Sequence, residues 1–485
     1  MKLTKKKIKS LSEKTNYFAW LKRRVDYDTL DLVRKQKIKG LHHLLEPDRY
    51  YPGGSSASNF LGYVGIDNTG LFGLEKNLES YLSGTRQSEL RFKDARGSPI
   101  LYNTSAAAPQ TPGLNVVLSL DHVIQELVET ALDKGVKEAK AKGGFAVVAD
   151  PHTGRIIALA NRPTFNPNNS EQLSILDTKN LALNYLFEPG SIMKPLVLSY
   201  ALEKGLVDLS TQHDCEKNGI YEVTPGTFIR DDHPRPSMTT EDIIIHSSNI
   251  CIYKIARLFG KEALFDLYTS FGLGAGSKNI NSKVGSVDHW SKWREIRFAN
   301  LAFGQGLLVN GLEMIRAYSV FANGGYVVEP YVIERIETAS GEILQGPPPS
   351  VRKSILSHHT VDAMQDILHK VVLHGTGKRS QLQGFSSAGK TGTSEKFDLK
   401  EKQYSLDKRL ASFIGFAPAF DPHLVIYVVI DEPAKKPYYG GLRAAPVFKE
   451  IAEQALKYLN VAEDLTKEEN EDSLVVDRYE EKSAE

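Results

Sequence analysis

Apolar and polar residues follow regular periods from about residue 113 onward. Residues 116–120 alternate as a strand does, and Asp121 can cap the helix that follows. Two short apolar runs come next, 145–149 and 156–160, joined by the turn-forming residues 150–154. The pattern predicts a helix and a β-hairpin that begin a sheet with helices on one face. The apolar positions of that helix recur every three or four residues: Val123, Ile124, Leu127, Val128, Ala131 and Leu132.

A second stretch, residues 196–202, is almost wholly apolar and ends before Gly205. A helix that is apolar on all sides is a buried one. The stretch therefore predicts the central buried helix of the domain. Ser191 would lie at its N-terminus, directly after the turn-forming pair Pro189-Gly190.

The last third of the chain adds more elements to the same sheet. Residues 411–416 and 424–430 read as two strands, and residues 446–459 as a helix on the same sheet face as the first one. The charged segment before Leu410 predicts a mobile connection. Residues 461–485 carry many more acids than bases, which predicts a disordered tail.

The chain before residue 113 has a different character. Residues 1 to about 45 predict an amphipathic helix with a basic face, which is either solvated or close to an anionic membrane surface. Glycines are frequent between residues 47 and 97 and indicate tight turns. The polar, proline-containing stretch 105–113 predicts a boundary. We therefore divide the chain into an N-terminal domain (1–112), a main domain (113–460) and a tail (461–485).

Length, charge and composition limit the number of domains and the kinds of partner and cell compartment to be expected. A length of 485 residues favours two or three domains, and a net charge of +1 gives no support for a nucleic-acid partner. No run approaches the roughly 18 apolar residues of a membrane span, and no signal peptide is evident, so we expect a soluble chain. Cys251 is expected to be a small core residue, with a Cys215–Cys251 disulfide as the less favoured alternative.

Three short motifs carry the candidate chemistry. Ser191 and Lys194 are three residues apart, so on a helix they share a face, and a desolvated lysine can act as the base that a serine nucleophile needs. The other two motifs are Ser247-Ser248-Asn249 and Lys390-Thr391-Gly392-Thr393. Taken singly, each motif has an ordinary structural explanation: Ser191 as a helix cap, Asn249 as a turn former and Lys390 as a solvated strand end. Together and in this order they are the signature set of penicillin-recognising serine enzymes.

The motifs and their spacing resemble the transpeptidase domain of penicillin-binding proteins over residues 113–460. Residues 49–52, 61–65 and 73–75 are similar to the N-terminal pedestal of the class B, monofunctional members, and residues 187–191 favour the division-type branch. The resemblance implies an α+β fold, an antiparallel sheet flanked by helices, preceded by an elongated pedestal. Class B members usually begin with a membrane helix and an early pedestal motif. Neither is found here, so we expect a truncated or atypical start that lacks the anchor.

The resemblance also implies a reaction. Its substrate is the D-Ala-D-Ala end of a peptidoglycan stem peptide, joined to a neighbouring stem by a D,D-transpeptidase during septal wall synthesis. β-Lactams would be covalent inhibitors, and a SEDS-type glycosyltransferase would be a membrane partner. The catalytic domain would lie on the extracytoplasmic side of the bacterial inner membrane. No metal or other cofactor is implied.

The same resemblance assigns roles to individual residues. Ser191 would attack the penultimate D-Ala carbonyl, Lys194 would take its proton, and Ser247 would relay a proton to the leaving amine. Lys390 would supply positive charge for the terminal carboxylate and keep Lys194 neutral. The remaining assignments concern substrate binding: Asn249 the amide, Thr391 and Thr393 the carboxylate, Gly392 space for the substrate backbone, and the Ser191 and Thr393 N–H groups the oxyanion.

Other functions share parts of this signature. A serine β-lactamase of class A needs a Glu with an Asn four residues later, whereas Glu295 is followed by Asn300, five later. A β-lactam sensor and a non-catalytic division scaffold also remain open, as does a carboxypeptidase that uses water as the acceptor. His246 is interpreted as a packing residue, because a lysine already fills the role of base.

Overall fold

The computed structural model describes residues 9, 19–43, 46, 48–84, 112–169, 174, 177–349, 352–398, 401 and 403–466. In the N-terminal part, Asp26 caps the first helix through the Thr29 amide. Of the predicted basic helix, residues 1–8, 10–18, 44 and 45 lie outside the described residues, and within 19–43 only Tyr27–Lys35 is helical, so the described part is not one continuous helix. The N-terminal elements are α1 (Tyr27–Lys35), α2 (Ser58–Leu61), β1 (Tyr63–Val64), β2 (Gly70–Phe72), α3 (Gly73–Asn77) and α4 (Glu79–Leu82).

The rest of the chain alternates between helices and short strands. Its helices are α5 (His122–Glu138), α6 (Leu181–Asn184), α7 (Lys194–Glu203), α8 (Thr240–Ile245), α9 (Asn249–Ser270), α10 (Glu295–Ala302), α11 (Gly311–Ala322), α12 (His358–His374), α13 (Gly440–Arg443) and α14 (Ala445–Tyr458). Its strands are β3 (Asn115–Leu118), β4 (Gly143–Ala149), β5 (Ile156–Arg162), β6 (Gln212–Asp214), β7 (Ile220–Thr224), β8 (Thr227–Arg230), β9 (Ser237–Thr239), β10 (Tyr326–Val328), β11 (Ile333–Glu337), β12 (Ile343–Gln345), β13 (Arg352–Ser354), β14 (Ala388–Asp398), β15 (Gln403–Ala417) and β16 (Leu424–Asp431).

The central sheet has five antiparallel strands in the order β14-β15-β16-β4-β5. The predicted hairpin of β4 and β5 and the predicted strands β15 and β16 all belong to it. The Asp121 cap is also confirmed, since its carboxylate accepts from the amides of Val123 and Ile124. Four of the five strands of this sheet are thus elements that the apolar pattern predicts, and the edge strand β14 is not.

Helices cover both faces of this sheet, and the expectation of helices on one face is wrong. Alternate residues of β4 divide between two cores, with Val148 facing α5 and α14 and Val147 facing the core that holds α7. Every residue of β4 and β16 is buried, which is why their sequences are continuously apolar. The last helix does pack beside the first on one face, as predicted.

The buried helix α7 is also confirmed, with its first six residues all buried. It continues directly from a 3₁₀ turn, Gly190–Met193, that carries Ser191. Gly190 has a φ of +64°, and its amide donates to the Gly304 carbonyl at 2.9 Å. The positive φ favours glycine here and explains the Pro-Gly pair before the serine.

Three expectations need correction. The charged segment before Leu410 is a continuation of the β14–β15 hairpin, in which Glu395 pairs with Arg409 across the strands. Cys215 and Cys251 form a disulfide, with Cα atoms 5.2 Å apart, because α9 and the strand end after β6 meet in the core. The tail begins in an ordered form: Asp464 accepts hydrogen bonds from the Ser386 amide and hydroxyl, while residues 467–485 lie outside the described residues.

No described helix combines the length and the apolar character that a bilayer crossing requires.

Candidate active site

The three motifs meet at one cleft of about 430 Å³. Ser191, Ser247, Asn249, Thr391 and Thr393 all line it, although they come from a turn, a helix junction and a strand far apart in sequence. The remaining predicted site residues, Lys194, Lys390 and Gly392, are buried beneath the cleft wall. The structure therefore brings together every residue that the sequence singles out.

The turn that carries Ser191 is held rigidly from behind. The Ile192 carbonyl accepts a hydrogen bond from the Tyr318 hydroxyl at 2.8 Å, and both side chains are fully buried. Ser191 itself is half-buried and faces the cleft. The helix begins just behind the serine, so the backbone at Ser191 is fixed where partial positive charge favours an anion.

Two buried lysines converge on one hydroxyl. Lys194 Nζ donates to the Ser247 carbonyl at 2.5 Å and to Ser247 Oγ at 3.2 Å. Lys390 Nζ donates to the same Oγ from the other side, at 3.0 Å. Both lysine side chains are fully buried. Among the described residues, Lys194 therefore bonds Ser247 and makes no hydrogen bond to its predicted partner, the Ser191 hydroxyl, which lies in the cleft that Ser247 also lines.

Burial and mutual repulsion weaken the hold of both lysines on their protons. Burial lowers the pKa of Lys194 to about 8, against an opposing effect of Asp231 and Asp232. Burial, and then the charge of Lys194, lower the pKa of Lys390 well below its usual range. Keeping two ammonium groups charged beside one hydroxyl in a desolvated site is unfavourable in free energy. The pair therefore supplies an amine base near neutral pH.

The second motif occupies the junction between α8 and α9. Ser247 has a φ of +62°, a left-handed conformation that is uncommon for a residue with a side chain. Ser248 caps α9 by accepting from the Cys251 amide at 3.0 Å. The amide nitrogen of the Asn249 side chain donates to the Arg230 carbonyl at 2.8 Å, which leaves its oxygen as the acceptor for a ligand.

Asp231 is a site residue that sequence reasoning missed. Its buried carboxylate accepts from the Ser248 hydroxyl at 2.6 Å and from the amides of Asn249 and Ile250 at 2.5 and 3.1 Å. These bonds fix the strained junction that presents Ser247. The only sequence signal is an acid 18 positions before Asn249, in a loop whose fold was not predictable.

The third motif lies on β14, the edge strand of the sheet. Thr391 Oγ1 is 2.6 Å from Thr376 Oγ1, and Thr393 Oγ1 accepts from the Gly440 amide at 3.2 Å. Gly392 has a packing role that is independent of the expected one. A Cβ there would collide with Ser412 Oγ and lie 3.0 Å from the Ile192 side chain, so the glycine allows the strand to approach the Ser191 turn.

Two residues weighed in other roles have packing partners. The Glu295 carboxylate accepts from the Tyr253 hydroxyl at 2.7 Å and pairs with Lys261 at 3.1 Å, which accounts for its charge without a role in water activation. His246 Nε2 lies 3.9 Å from Asp242, and burial lowers the pKa of the imidazole. Across the described residues, no three His, Cys, Asp or Glu side chains gather as a metal site would require.

The chain matches two family models. Residues 144–453 match the penicillin-binding protein transpeptidase domain, and residues 2–118 match the penicillin-binding protein dimerisation domain. Among curated proteins, the probable peptidoglycan D,D-transpeptidase PenA of Neisseria gonorrhoeae is 34% identical over 457 residues, which cover 93% of this chain and 76% of that protein. The peptidoglycan D,D-transpeptidase FtsI of Escherichia coli is 30% identical over 470 residues, covering 96% and 76%.

Solved structures give the same result. Penicillin-binding protein 3 of Mycobacterium tuberculosis, in its apo form, superimposes with a TM-score of 0.76 at 30% identity. The match covers 86% of this chain and 92% of that one. The same protein has also been solved in complex with ampicillin, again with a TM-score of 0.76. This chain therefore belongs to the class B penicillin-binding proteins, in which a dimerisation domain precedes a transpeptidase domain.

Proposed function

We propose that this chain is a peptidoglycan D,D-transpeptidase that works through an acyl-enzyme on Ser191. One observation carries the proposal: two buried lysines share the Ser247 hydroxyl at the floor of the cleft that Ser191 faces. That arrangement provides a base for the serine, a proton relay and a positive charge within one hydrogen-bonded group. The names of the relatives point to the same reaction class.

The first half-reaction transfers the stem peptide to the enzyme. Ser191 Oγ attacks the penultimate D-Ala carbonyl carbon and gives its proton to neutral Lys194. The peptide C–N bond then breaks, and Ser247 passes a proton to the amine of the departing D-Ala. The oxyanion is held by the N–H groups of Ser191 and Thr393, and loss of one such donor typically costs about 100- to 1000-fold in rate.

The second half-reaction closes the crosslink. An amine of a neighbouring stem peptide attacks the ester carbonyl and forms the new amide bond. The C–Oγ bond breaks, and the proton of the attacking amine returns to Ser191 through the Lys194–Ser247 group. Atoms and charges balance without a cofactor, because in each half-reaction the Lys194–Ser247 group gives up the proton that it accepts: to the departing D-Ala in the first and to Ser191 in the second.

Substrate binding sets the protonation of the lysine pair. A carboxylate beside Lys390 favours the ammonium form there, and the charged Lys390 then favours neutral Lys194. Thr391 and Thr393 line the cleft on the same strand and would donate to this carboxylate. Asn249 would accept from the substrate amide, because its own amide nitrogen is already bonded to Arg230. Gly392 would let this strand lie close to the Ser191 turn.

We place this activity in septal wall synthesis, with the catalytic domain on the extracytoplasmic side of the bacterial membrane. The similarity to FtsI supports this setting, and a SEDS-type glycosyltransferase is the partner we expect there. We also propose that residues 1–112 and 113–460 are separate domains, since one family model ends at residue 118 and the other begins at residue 144.

The test is covalent labelling with a fluorescent penicillin, followed by intact mass. We expect one adduct that persists for many minutes and that is missing in Ser191→Ala but present in the surface control Ser291→Ala. Rapid drug hydrolysis through a short-lived adduct would favour a β-lactamase. Absence of an adduct on well-folded protein would refute the acyl-enzyme mechanism and favour a scaffold.

A further inference from the structure

A second and larger cavity lies between the N-terminal part of the chain and the catalytic sheet. Its volume is about 1150 Å³, against about 430 Å³ for the cleft. Apolar side chains from both parts line it, including Phe72 and Leu74 on one side and Leu181, Ile280 and Ile333 on the other. A cavity of this size, with an apolar wall and polar side chains that can orient a ligand, has the character of a ligand site.

Positive charge surrounds this cavity. Lys76, Lys179, Lys278 and Lys283 line it with exposed side chains, and in the described part of the chain their ammonium groups have no partner. Two further lining lysines, Lys142 and Lys396, are already paired with acids at the end of β16, Asp431 and Glu432. Six lysines thus line the cavity against two acids, Asp177 and Asp431, and the net positive charge favours an anionic occupant.

A buried donor at the cavity wall has no partner. Asn180 is 1% exposed, and its side-chain oxygen accepts from the Leu183 amide at 3.1 Å as the cap of α6. Its amide nitrogen is buried without a hydrogen bond to any described residue. An unsatisfied buried donor is costly, and a ligand carbonyl, hydroxyl or carboxylate in the cavity would satisfy it.

One strand connects this cavity to the catalytic cleft. Neighbouring residues of β14 point to opposite faces, so Glu395 lines the cleft and Lys396 lines the cavity. The same strand carries Lys390 and Thr393 closer to its start. The two sites are thus on opposite sides of the strand that would hold the substrate carboxylate.

We propose that this cavity is a second binding site for an anionic, carbonyl-rich ligand, namely another stretch of the peptidoglycan strand with its stem peptide. The inference rests on the proposed function, which makes a long acidic polymer the substrate. Stem-peptide carboxylates pair with the four free lysines, an amide carbonyl accepts from Asn180, and methyl groups and sugar faces cover the apolar wall. The enzyme would thereby hold a strand while its cleft processes a stem.

The experiment separates the two sites by blocking the cleft. The full chain is first acylated with benzylpenicillin and checked by intact mass, and then titrated with a soluble disaccharide-pentapeptide. We expect saturable binding to the acylated protein, and at least tenfold weaker binding of the same disaccharide without its peptide, because it lacks the carboxylates and amide carbonyls of the stem and keeps only its lactyl carboxylate. Equal affinity for both probes, or no binding at about millimolar probe, would overturn the proposal.

Two variants test the assigned groups. Asn180→Asp keeps the oxygen that caps α6 but replaces the free donor by a negatively charged oxygen, and Lys278→Glu/Lys283→Glu reverses two cations. Each should weaken muropeptide binding about tenfold or more and leave penicillin acylation unchanged. Lys217→Glu/Lys457→Glu makes the same charge change at exposed lysines elsewhere and should have no effect on either readout.

The outcomes distinguish the two proposals. Normal acylation with wild-type-like binding in the cavity variants would refute the second site alone. Failure of acylation would refute the proposed function, and the variants would still report on the cavity in unmodified protein, where loss of muropeptide binding supports the site and unchanged binding overturns it.

Discussion

The cleft and the larger cavity both depend on lysines, but they use them in opposite ways. Lys194 and Lys390 are fully buried, share one hydroxyl and have lowered pKa values. Lys278 and Lys283 at the cavity are exposed and unpaired among the described residues. Burial makes a lysine a proton acceptor, whereas exposure preserves it as a cation.

The difference predicts which changes each site tolerates. A buried amine that moves protons has a fixed geometry, and a side chain of similar length without the amine should not replace it. An exposed cation acts through its charge, so its exact position matters less, and several lysines can contribute to binding the same anion. The cleft should therefore fail with single substitutions, and the cavity only with charge reversals or with loss of the Asn180 donor.

The largest expected effect is that of Lys194→Met, which keeps the length of the side chain and removes the base. Loss of a general base typically costs about 10²–10⁴-fold, and we expect penicillin acylation to fall by that range. Stopped-flow labelling measures the rate, and circular dichroism checks the fold. Lys134→Met, which removes the surface ion pair with Glu450, should acylate at the wild-type rate. A loss smaller than tenfold in Lys194→Met would assign the base elsewhere.

The cleft was predictable in outline because three motifs identify its residues. The arrangement around it was not. Asp231 and the strained backbone of Ser247 depend on a loop whose path is set by tertiary contacts. The packing role of Gly392 depends on the close approach of β14 to the Ser191 turn, which the sequence does not show. The cavity has no motif, since its residues come from separate parts of the chain and act through exposure and charge.

In the central sheet, too, some features could be predicted from the sequence and others could not. Apolar runs predicted β4, β5, β15 and β16, because full burial leaves a continuous apolar sequence. They did not predict that helices cover both faces, since such a run carries no period that assigns its faces. In the charged half of the β14–β15 hairpin, cross-strand pairs such as Glu395–Arg409 hold the strands together in place of apolar burial. The sequence there has no apolar run, and we therefore predicted a mobile connection.

The next effect in size is the pH dependence of acylation. The productive state has one proton on the lysine pair, with Lys390 charged and Lys194 neutral. In the free protein the last proton of the pair lies on Lys194, whose pKa is lowered to about 8, and a bound carboxylate draws it to Lys390. Acid therefore adds a second proton to the pair, and alkali removes the last one near pH 8. The second-order acylation constant should therefore pass through a maximum and fall about tenfold per pH unit well above 8.

Muropeptide binding at the cavity is the control for the pH dependence of acylation at the cleft. Muropeptide binding to penicillin-blocked protein should vary little between pH 6 and 9, because the cavity does not contain the buried lysine pair. Acylation measured from pH 5 to 10 with one penicillin gives the other curve. A rate that climbs steadily to pH 10 would contradict the shared-proton model.

A smaller effect is expected from Asp231→Ala, which removes the acceptor for Ser248 and two backbone amides. Hydrogen bonds to charged groups contribute about 1.5–3 kcal/mol each, so part of this loss should relax Ser247 and slow acylation about 10- to 100-fold. Asp231→Asn retains one acceptor oxygen and should recover part of the rate. A purely structural role would lower the melting temperature in both variants and leave their acylation rates at 25 °C equal to wild type.

The smallest expected effect lies at the far end of β14. Asp464 holds Ser386, four residues before Lys390, through its amide at 2.7 Å and its hydroxyl. Asp464→Ala should slow acylation a few-fold, about 1 kcal/mol, because the strand that carries Lys390 loses an anchor. Muropeptide binding should not change, since the cavity touches the opposite end of the strand at Lys396. Glu463→Gln is the matched control, and equal losses at both sites would show that β14 responds as one rigid unit.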